Sequence, residues 1–416
     1  MIKYRSKKEK TSFYLFILVI LSSISFYNPF QIFSKEISKL FFYVAVTISL
    51  IYACRNGINI NKSKYPSSSF KLIIYGILFS SLMPLLFHNQ SVTQTLVSSL
   101  PYIFSYVFFY ILMKLNIPKD KILKAIWTFC FIGMFIYLIN LILFPKIIFG
   151  DIKENFDLTR GIVRLSIPSF FFILLLYFYS INNYVLYKKK KDLLLILLTL
   201  IFIFLSVTRQ VILLSILIGI FMFIKNVSLV KKIVIALLIV IVYQFLLPKI
   251  PIYNEMVELS KNQIEKNQYE EEDIRITAWK FYIHDYQTNT ITAIFGNGIP
   301  SIGKSNWGNK FEKTVSRDYG GNGCLYVDVG WAGFYWLFGL LSTLGLAQLL
   351  IKAILKKKAE NEQYLSCWCL LIFLISFTSA PILFNQQIIC ITTILYLIYG
   401  KNKINSYNNI KLQQLQ

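Results

Sequence analysis

Apolar runs long enough to cross a lipid bilayer recur along the chain, separated by short lysine-rich segments. About 20 apolar residues in a helix match the ~30 Å hydrocarbon layer, and a helix satisfies its own backbone hydrogen bonds there. The runs lie near residues 11 to 27, 37 to 54, 70 to 88, 94 to 113, 122 to 144, 165 to 186, 192 to 208, 210 to 225, 230 to 248, 325 to 351, 364 to 380 and 382 to 399. They predict an all-α polytopic membrane protein of about twelve spans. Composition agrees: 56% of the 416 residues are hydrophobic and 15% charged, against about 25% charged in a soluble domain. Disorder and a collagen-like fold are excluded. The first run follows Lys3, Arg5, Lys7, Lys8 and Lys10 as a signal peptide would. No small-residue cleavage site follows it, so a retained first helix is expected.

The formal net charge is +23, which in a soluble chain would suggest nucleic acid. Here the basic residues cluster between apolar runs, the pattern of topology signals facing anionic membrane lipids, and no nucleic-acid partner is expected. With the N-terminus placed in the cytoplasm, nearly all the excess positive charge falls inside. The Lys114/Lys119/Lys121/Lys124 group, Lys188 to Lys191, Lys231-Lys232 and Lys356 to Lys358 then share one side. The expected organisation is nine spans over 1–247, a large extracytoplasmic loop with amphipathic helices over 248–324, three spans over 325–400 and a cytoplasmic tail over 401–416. The hairpin at Thr208-Arg209-Gln210 is required, because merging 192 to 225 would bury Arg209 in one overlong helix. The six cysteines are scattered, lack disulfide-framework or thiolate-metal spacing, and read as small hydrophobes.

The loop is longer than an ordinary connection and should have structure of its own. After the acidic run Glu270-Glu271-Glu272-Asp273, Asp273 is positioned to cap a helix beginning at Ile274, on which Arg275 and Trp279 share a face. The Gly-, Asn- and Ser-rich stretch from Gly296 to Gly323 reads as ordered loop or lid rather than helix.

Only seven arginines occur, and five of them, Arg160, Arg164, Arg209, Arg275 and Arg317, fall on the outer side of this topology. Arginine presents a fixed fork of donors suited to phosphate oxygens, whereas lysine acts as a point charge. Arg164 at the mouth of the sixth span and Arg209 in a tight turn would each cost a few kcal/mol near hydrocarbon unless paired or snorkelling. The chemical reading is an outward-facing pocket for a diphosphate whose lipid tail stays in the membrane, with Arg275 as a third contributor. The plain alternative is interfacial anchoring. Arg160 and Arg317 lie near Asp157 and Asp318, where surface ion pairs are an equal explanation. Trp279 is either a platform for a sugar face or an interface anchor.

His284, beside Asp285, is a candidate general base, with Asp318 and Asp328 as rival carboxylates. Capping near Gly330 competes with a catalytic role for Asp328. His88, at the outer end of the third span, reads as a satisfied interfacial residue. Gly296-Asn297-Gly298 can present backbone donors or adopt dihedrals closed to other residues, and Gly330 and Gly333 share a face suited to a close helix contact or a substrate wall. No carboxylate cluster suggests a metal, and no Walker or dinucleotide string occurs, so no cofactor is expected.

The layout resembles the Wzy and O-antigen ligase family of membrane glycosyltransferases. Arg164 with Pro168 resembles the family's arginine and proline at the start of a mid-chain span, and Thr208-Arg209-Gln210 its Ser/Thr-Arg-Gly turn, with Gln210 where glycine is usual. Arg275, Trp279 and Gly296-Asn297-Gly298 resemble its loop arginine, tryptophan and Gly-x-Gly. Asn322, Gly330 and Gly333 match the end of the loop, where Gly321 stands in place of the family's histidine. That departure argues against the ligase branch. The resemblance implies a repeat-unit polymerase for O-antigen or capsular polysaccharide in the bacterial cytoplasmic membrane, facing the periplasm or exterior. Its substrates would be donor and acceptor glycans on undecaprenyl diphosphate, its partners a flippase and a chain-length regulator. Arg164, Arg209 and Arg275 would stabilise the leaving diphosphate, one of His284, Asp318 or Asp328 would take the acceptor proton, and Arg160, Trp279, Arg317 and Asn322 would contact substrate. An O-antigen ligase, a lipid-linked oligosaccharide flippase and a scaffold are the competing classes. A flippase needs charge along a central path, which these spans lack.

Overall fold

The computed structural model describes residues 2–23, 28, 30, 32–58, 60, 66–149, 165–167, 169–225, 249, 254, 258, 274–286, 289–318 and 326–400. These residues form helices and turns with no β-sheet among them. In chain order the principal helices are α1 Ile2–Ser23, α2 Lys35–Asn56, α3 Ser67–Ser80, α4 Met83–Phe87, α5 Val92–Leu115, α6 Lys119–Ile142, α7 Phe170–Tyr187 and α8 Lys190–Leu205. They continue with α9 Arg209–Lys225, α10 Ile274–Lys280, α11 Thr290–Phe295, α12 Asn306–Asp318, α13 Gly330–Leu355, α14 Gln363–Ile375 and α15 Asn385–Tyr399. Among the described residues, six segments are long and apolar enough to cross a membrane: Glu36–Asn56, Ser67–Phe87, Val92–Leu115, Lys119–Ile142, Phe170–Tyr187 and Gly330–Leu355. The apolar run at 230 to 248 lies outside the described residues.

Two compact units divide the chain, one comprising Met1–Ile74, Leu100–Leu176 and Phe384–Gln416, the other Tyr75–Ser99 and Tyr177–Leu383. In the first, Phe16 stacks on Phe108 at 6.4 Å, and Phe109 meets the edges of Phe70 and Tyr399. The Tyr396 hydroxyl donates to Ile117 O. Asn140 closes α6 by accepting from the N–H groups of Ile148 and Phe149, both at 3.1 Å. Such a tie satisfies polar groups that a helix end leaves open.

The second unit is organised around α13, which is broken at Gly339 (φ 75°, ψ 177°). The break removes the local donors for the carbonyls of the preceding turn, and a neighbouring segment supplies replacements. Asn297 N–H donates to Trp336 O at 2.8 Å and Gly298 N–H to Leu337 O at 3.0 Å, while the Ser80 hydroxyl also reaches Leu337 O. This crossing needs two bare backbones. A Cβ on Gly339 would stand 2.3 Å from Ile294 O, and one on Gly296 (φ 89°) would stand 2.2 Å from Leu337 O.

The segment 274–318 packs through aromatic residues onto the same stretch of α13. Trp336 is fully buried; Phe311 stacks on it at 4.9 Å, Tyr282 at 5.4 Å and Tyr286 at 5.8 Å surround it, and its indole N–H donates to Tyr286 O at 3.2 Å. The expectation of irregular loop from Gly296 to Gly323 is corrected here, because α12 is helical over Asn306–Asp318. Trp307, Phe311 and Val315 recur every four residues, form one buried stripe, and drive the helix despite its polar composition. The Ser305 hydroxyl accepts from Gly308 N–H at 2.9 Å and caps it.

Candidate functional site

The hairpin expected at Thr208-Arg209-Gln210 falls slightly earlier, at 206–208: α8 ends at Leu205, Val207 adopts φ 51°, and Arg209 and Gln210 open α9 rather than forming the turn. Arg209 is half-buried. Its neighbour Gln210 accepts from the Thr378 hydroxyl through Oε1 and donates from Nε2 to Leu374 O at 3.4 Å. The start of α9 is thereby held on the turn 376–379 that ends α14.

Two further elements meet that turn. Helix α10 is described over Ile274–Lys280 and exposes Arg275, while Asp273, expected to cap it, lies outside the described residues. Half-buried Trp279, one turn later, stacks on Phe377 with ring centroids 6.0 Å apart and planes 13° apart. Its indole N–H donates to Phe377 O at 3.0 Å, so both its face and its polar edge are engaged. Trp331, at the start of α13, donates its backbone N–H to Ser376 O at 2.8 Å and its indole N–H to Phe373 O at 3.0 Å. Gly330 makes this approach close, since a Cβ there would lie 2.2 Å from Ser379 O. Asp328 ends the short 3-10 turn Tyr326–Asp328 leading into α13 and is exposed.

Arg209, Arg275 with Trp279, and Asp328 therefore stand on three elements joined to one turn. His284 is exposed in the π-helical turn Phe281–Asp285 that continues α10, with Asp285 exposed beside it. Arg317 and Asp318 are the last described residues of α12, with only their backbone described. Arg160, Arg164 and Asn322 lie outside the described residues, as does Pro168. The backbone donors of Asn297 and Gly298 are both committed to α13.

Sequence reasoning passed over the turn 376–379, because Phe377 and its neighbours ended an apolar run. The polar trio Ser376, Thr378 and Ser379 was the available signal that a helix stops there. It also passed over Gln90 and the surroundings of His88. Ser91 and Gln94 form a reciprocal cap at the start of α5, each accepting from the other's backbone N–H, at 3.2 and 3.3 Å. Between that cap and His88, buried Gln90 donates to Thr95 Oγ1 and Ile299 O, both at 3.2 Å. Its Oε1 accepts from Ser301 N–H at 3.0 Å and the Ser305 hydroxyl at 3.1 Å. His88 lies flat on Trp307, centroids 4.0 Å and planes 3° apart. Burial pulls its imidazolium down to about 4, against a hydrogen bond with the Asn297 side chain that acts in the opposite sense.

No protein-family model matches this chain, and no curated protein matches it.

Proposed function

We propose that the chain is a membrane glycosyltransferase that joins glycans carried on polyprenyl diphosphate, a repeat-unit polymerase of the Wzy and O-antigen ligase kind. In this reading it spans the bacterial cytoplasmic membrane about twelve times with both termini in the cytoplasm, and acts at the outer face. The observation that carries the reading is the shared turn 376–379. It is tied to the start of α9 beside Arg209, to Trp279 four residues after Arg275, and to the start of α13 beyond Asp328.

In the reaction, a hydroxyl of the acceptor glycan attacks the anomeric carbon of the donor. The bond from that carbon to the diphosphate breaks, and the diphosphate leaves with the electron pair while the acceptor proton passes to a base. Negative charge grows on the leaving group, so guanidinium donors fixed in advance lower the barrier more than they strengthen ground-state binding. Arg164, Arg209 and Arg275 are assigned to that role; His284, Asp318 and Asp328 are the candidates for the base. Energy comes from the activated glycosyl diphosphate itself.

The deciding experiment uses purified full-length protein with synthetic polyprenyl-diphosphate repeat units, followed by gel and mass analysis. Ladders of glycan still attached to the carrier are expected. Transfer to a terminal acceptor without ladders would turn the reading toward a ligase, and movement of intact substrate across vesicles without new glycosidic bonds would turn it toward a flippase.

A further inference from the structure

The break in α13 falls inside a membrane span, so the segment that answers it has to reach the same depth. Helix α13 runs 26 residues, about 39 Å at 1.5 Å per residue, against a hydrocarbon layer of ~30 Å. Gly339 lies nine residues beyond Gly330, about 13 Å along the helix. Even if all the excess length, about 9 Å, stood outside the hydrocarbon at that end, Gly339 would still lie below its edge. A Cβ on Gly339 would meet Ile294 O and Gly296 N, which puts residues 294–296 at its level.

The neighbouring span gives the depth a second time. Ser67–Phe87 has 21 residues, about 31 Å, and matches the layer with almost no excess. It runs antiparallel to α13, because a Cβ on Gly76 would collide with Ser342 while Ser80 reaches Leu337 O. Phe79, eight residues before Phe87 and so about 12 Å from that end, meets the Phe295 ring with centroids 5.4 Å apart. Gly298 then packs on Pro84, nearer the end of the span. The chain goes down to Phe295 and turns back.

The chemistry of the segment suits that depth. No residue from Tyr286 to Gly303 is charged, whereas Asp285 and Lys304 flank the stretch and charged residues are frequent in the rest of 255–318. Asn289, Thr292 and Asn297 spend polar groups inside the protein. Asn289 Oδ1 accepts from Thr292 N–H and the Thr292 hydroxyl donates to Asn289 O, both at 2.9 Å. Buried Asn297 donates to Trp336 O through its backbone N–H and its Nδ2. Apart from Thr290 at its start, what α11 leaves exposed is Ile291 and Ile294, three apart on one face. Phe79, Leu340 and Leu344 on the two bordering spans are exposed as well. An apolar surface of this kind is unfavourable in water, and here it continues the outward sides of membrane spans.

We propose that residues 290–299 form a re-entrant element, which enters the membrane from the end where α13 begins and turns back beside Gly339, with Ile291 and Ile294 packed against lipid acyl chains. Non-helical backbone persists at such depth where protein buries it, and the bonds from Asn297 and Gly298 to α13 supply that cover. The segment carrying Arg275 and Trp279 is thereby moored at the bilayer surface. The inference needs the two spans to lie in a membrane and is independent of the glycan-joining reading.

The test uses wild-type, full-length protein in phosphatidylcholine nanodiscs doped with a phosphatidylcholine that carries a diazirine in mid-acyl chain. Light expels dinitrogen, the carbene inserts into the nearest bonds, and peptide mass mapping locates the adducts. Adducts are expected on 290–295 as on 340–344, and not on 309–313 of α12. A second measurement reads contact with water. In the same nanodiscs, which leave both membrane faces open to reagent, Ile294→Cys should react with a charged maleimide at least about tenfold more slowly than Lys304→Cys, each rate read on its own peptide. Adducts on 340–344 but not on 290–295 would mean that protein covers α11, and a thiol at 294 as fast as one at 304 would mean that it faces water; either overturns the proposal. Adducts on neither segment would take the spans out of the membrane and the proposal with them. A protein that is labelled as expected yet joins no lipid-linked glycans keeps the re-entrant element and loses the polymerase reading.

Discussion

Replacing Gly339 with alanine tests whether the crossing between α13 and the segment before Asn297 holds the second unit together. Gly339 has φ 75° and ψ 177°, a region essentially closed to residues with a Cβ and worth roughly 1–3 kcal/mol of strain. The added methyl would also stand 2.3 Å from Ile294 O and 2.4 Å from Gly296 N. Both are backbone atoms, so relief requires the two segments to separate. Separation stretches the bonds from Asn297 N–H and Gly298 N–H to the carbonyls of Trp336 and Leu337, now 2.8 and 3.0 Å, and each buried group left open costs about 1–3 kcal/mol. Gly339→Ala should therefore destabilise by at least ~3 kcal/mol, about two decades in the folding equilibrium. Gly303 supplies the control, since it has φ 72° but a Cβ there meets nothing within 4 Å; its replacement should cost only the left-handed conformation, ~1–2 kcal/mol. Guanidinium unfolding in detergent, followed by tryptophan fluorescence, compares the two. Equal midpoint shifts would show that the crossing contributes nothing beyond backbone conformation and would refute the argument.

Arg164→Ala, Arg209→Ala and Arg275→Ala should each keep normal membrane abundance and lower glycan joining by about 10²–10³, with lysine replacements recovering only part; wild-type turnover in the purified variants would remove the assignment. Gln210→Leu leaves Arg209 in the chain but severs α9 from the turn 376–379. It should reduce turnover and lower stability by about 1 kcal/mol, and a variant matching wild type in both would show that the tie does not orient the site. Trp279→Phe keeps the ring stacked on Phe377 and loses one hydrogen bond, so proteolysis near residue 280 should quicken less than in Trp279→Ala; the opposite order would count against the stack. His88 titrates lower in the folded protein, about 4, than its ordinary value of 6.5. Its contribution is thus fully present above pH 6.5 and is lost as pH falls toward 4, so melting temperature should drop across that window in the wild type and less in His88→Phe.

Much of the helical architecture was readable because hydrocarbon thickness and helical rise fix how long an apolar run must be. Expected runs at 37 to 54, 94 to 113 and 122 to 144 correspond to Lys35–Asn56, Val92–Leu115 and Lys119–Ile142. Helix α12 was missed because its three anchors are diluted by Asn, Gly, Lys and Ser. Its four-residue spacing was the stronger signal, since one buried stripe suffices once a partner such as Trp336 exists. The site was less legible for the same reason. Trp279 on Phe377 and His88 on Trp307 are contacts between distant parts of the chain, and local periodicity carries no information about which surface a ring will meet. Only Gln210 and Thr378, polar residues at the ends of apolar runs, hinted at the joint.

The Gln90 clasp joins residues about 210 positions apart. At roughly 5–20 residues per second of synthesis, some 10–40 s separate the appearance of Gln90 from that of Ser301 and Ser305. During that interval its amide must be served by water or by a passing partner. The surface around His88 is therefore a late product of biogenesis, assembled only when translation is nearly three-quarters done, and a ribosome stalled before that point would release a chain with its helices inserted and its clasp open.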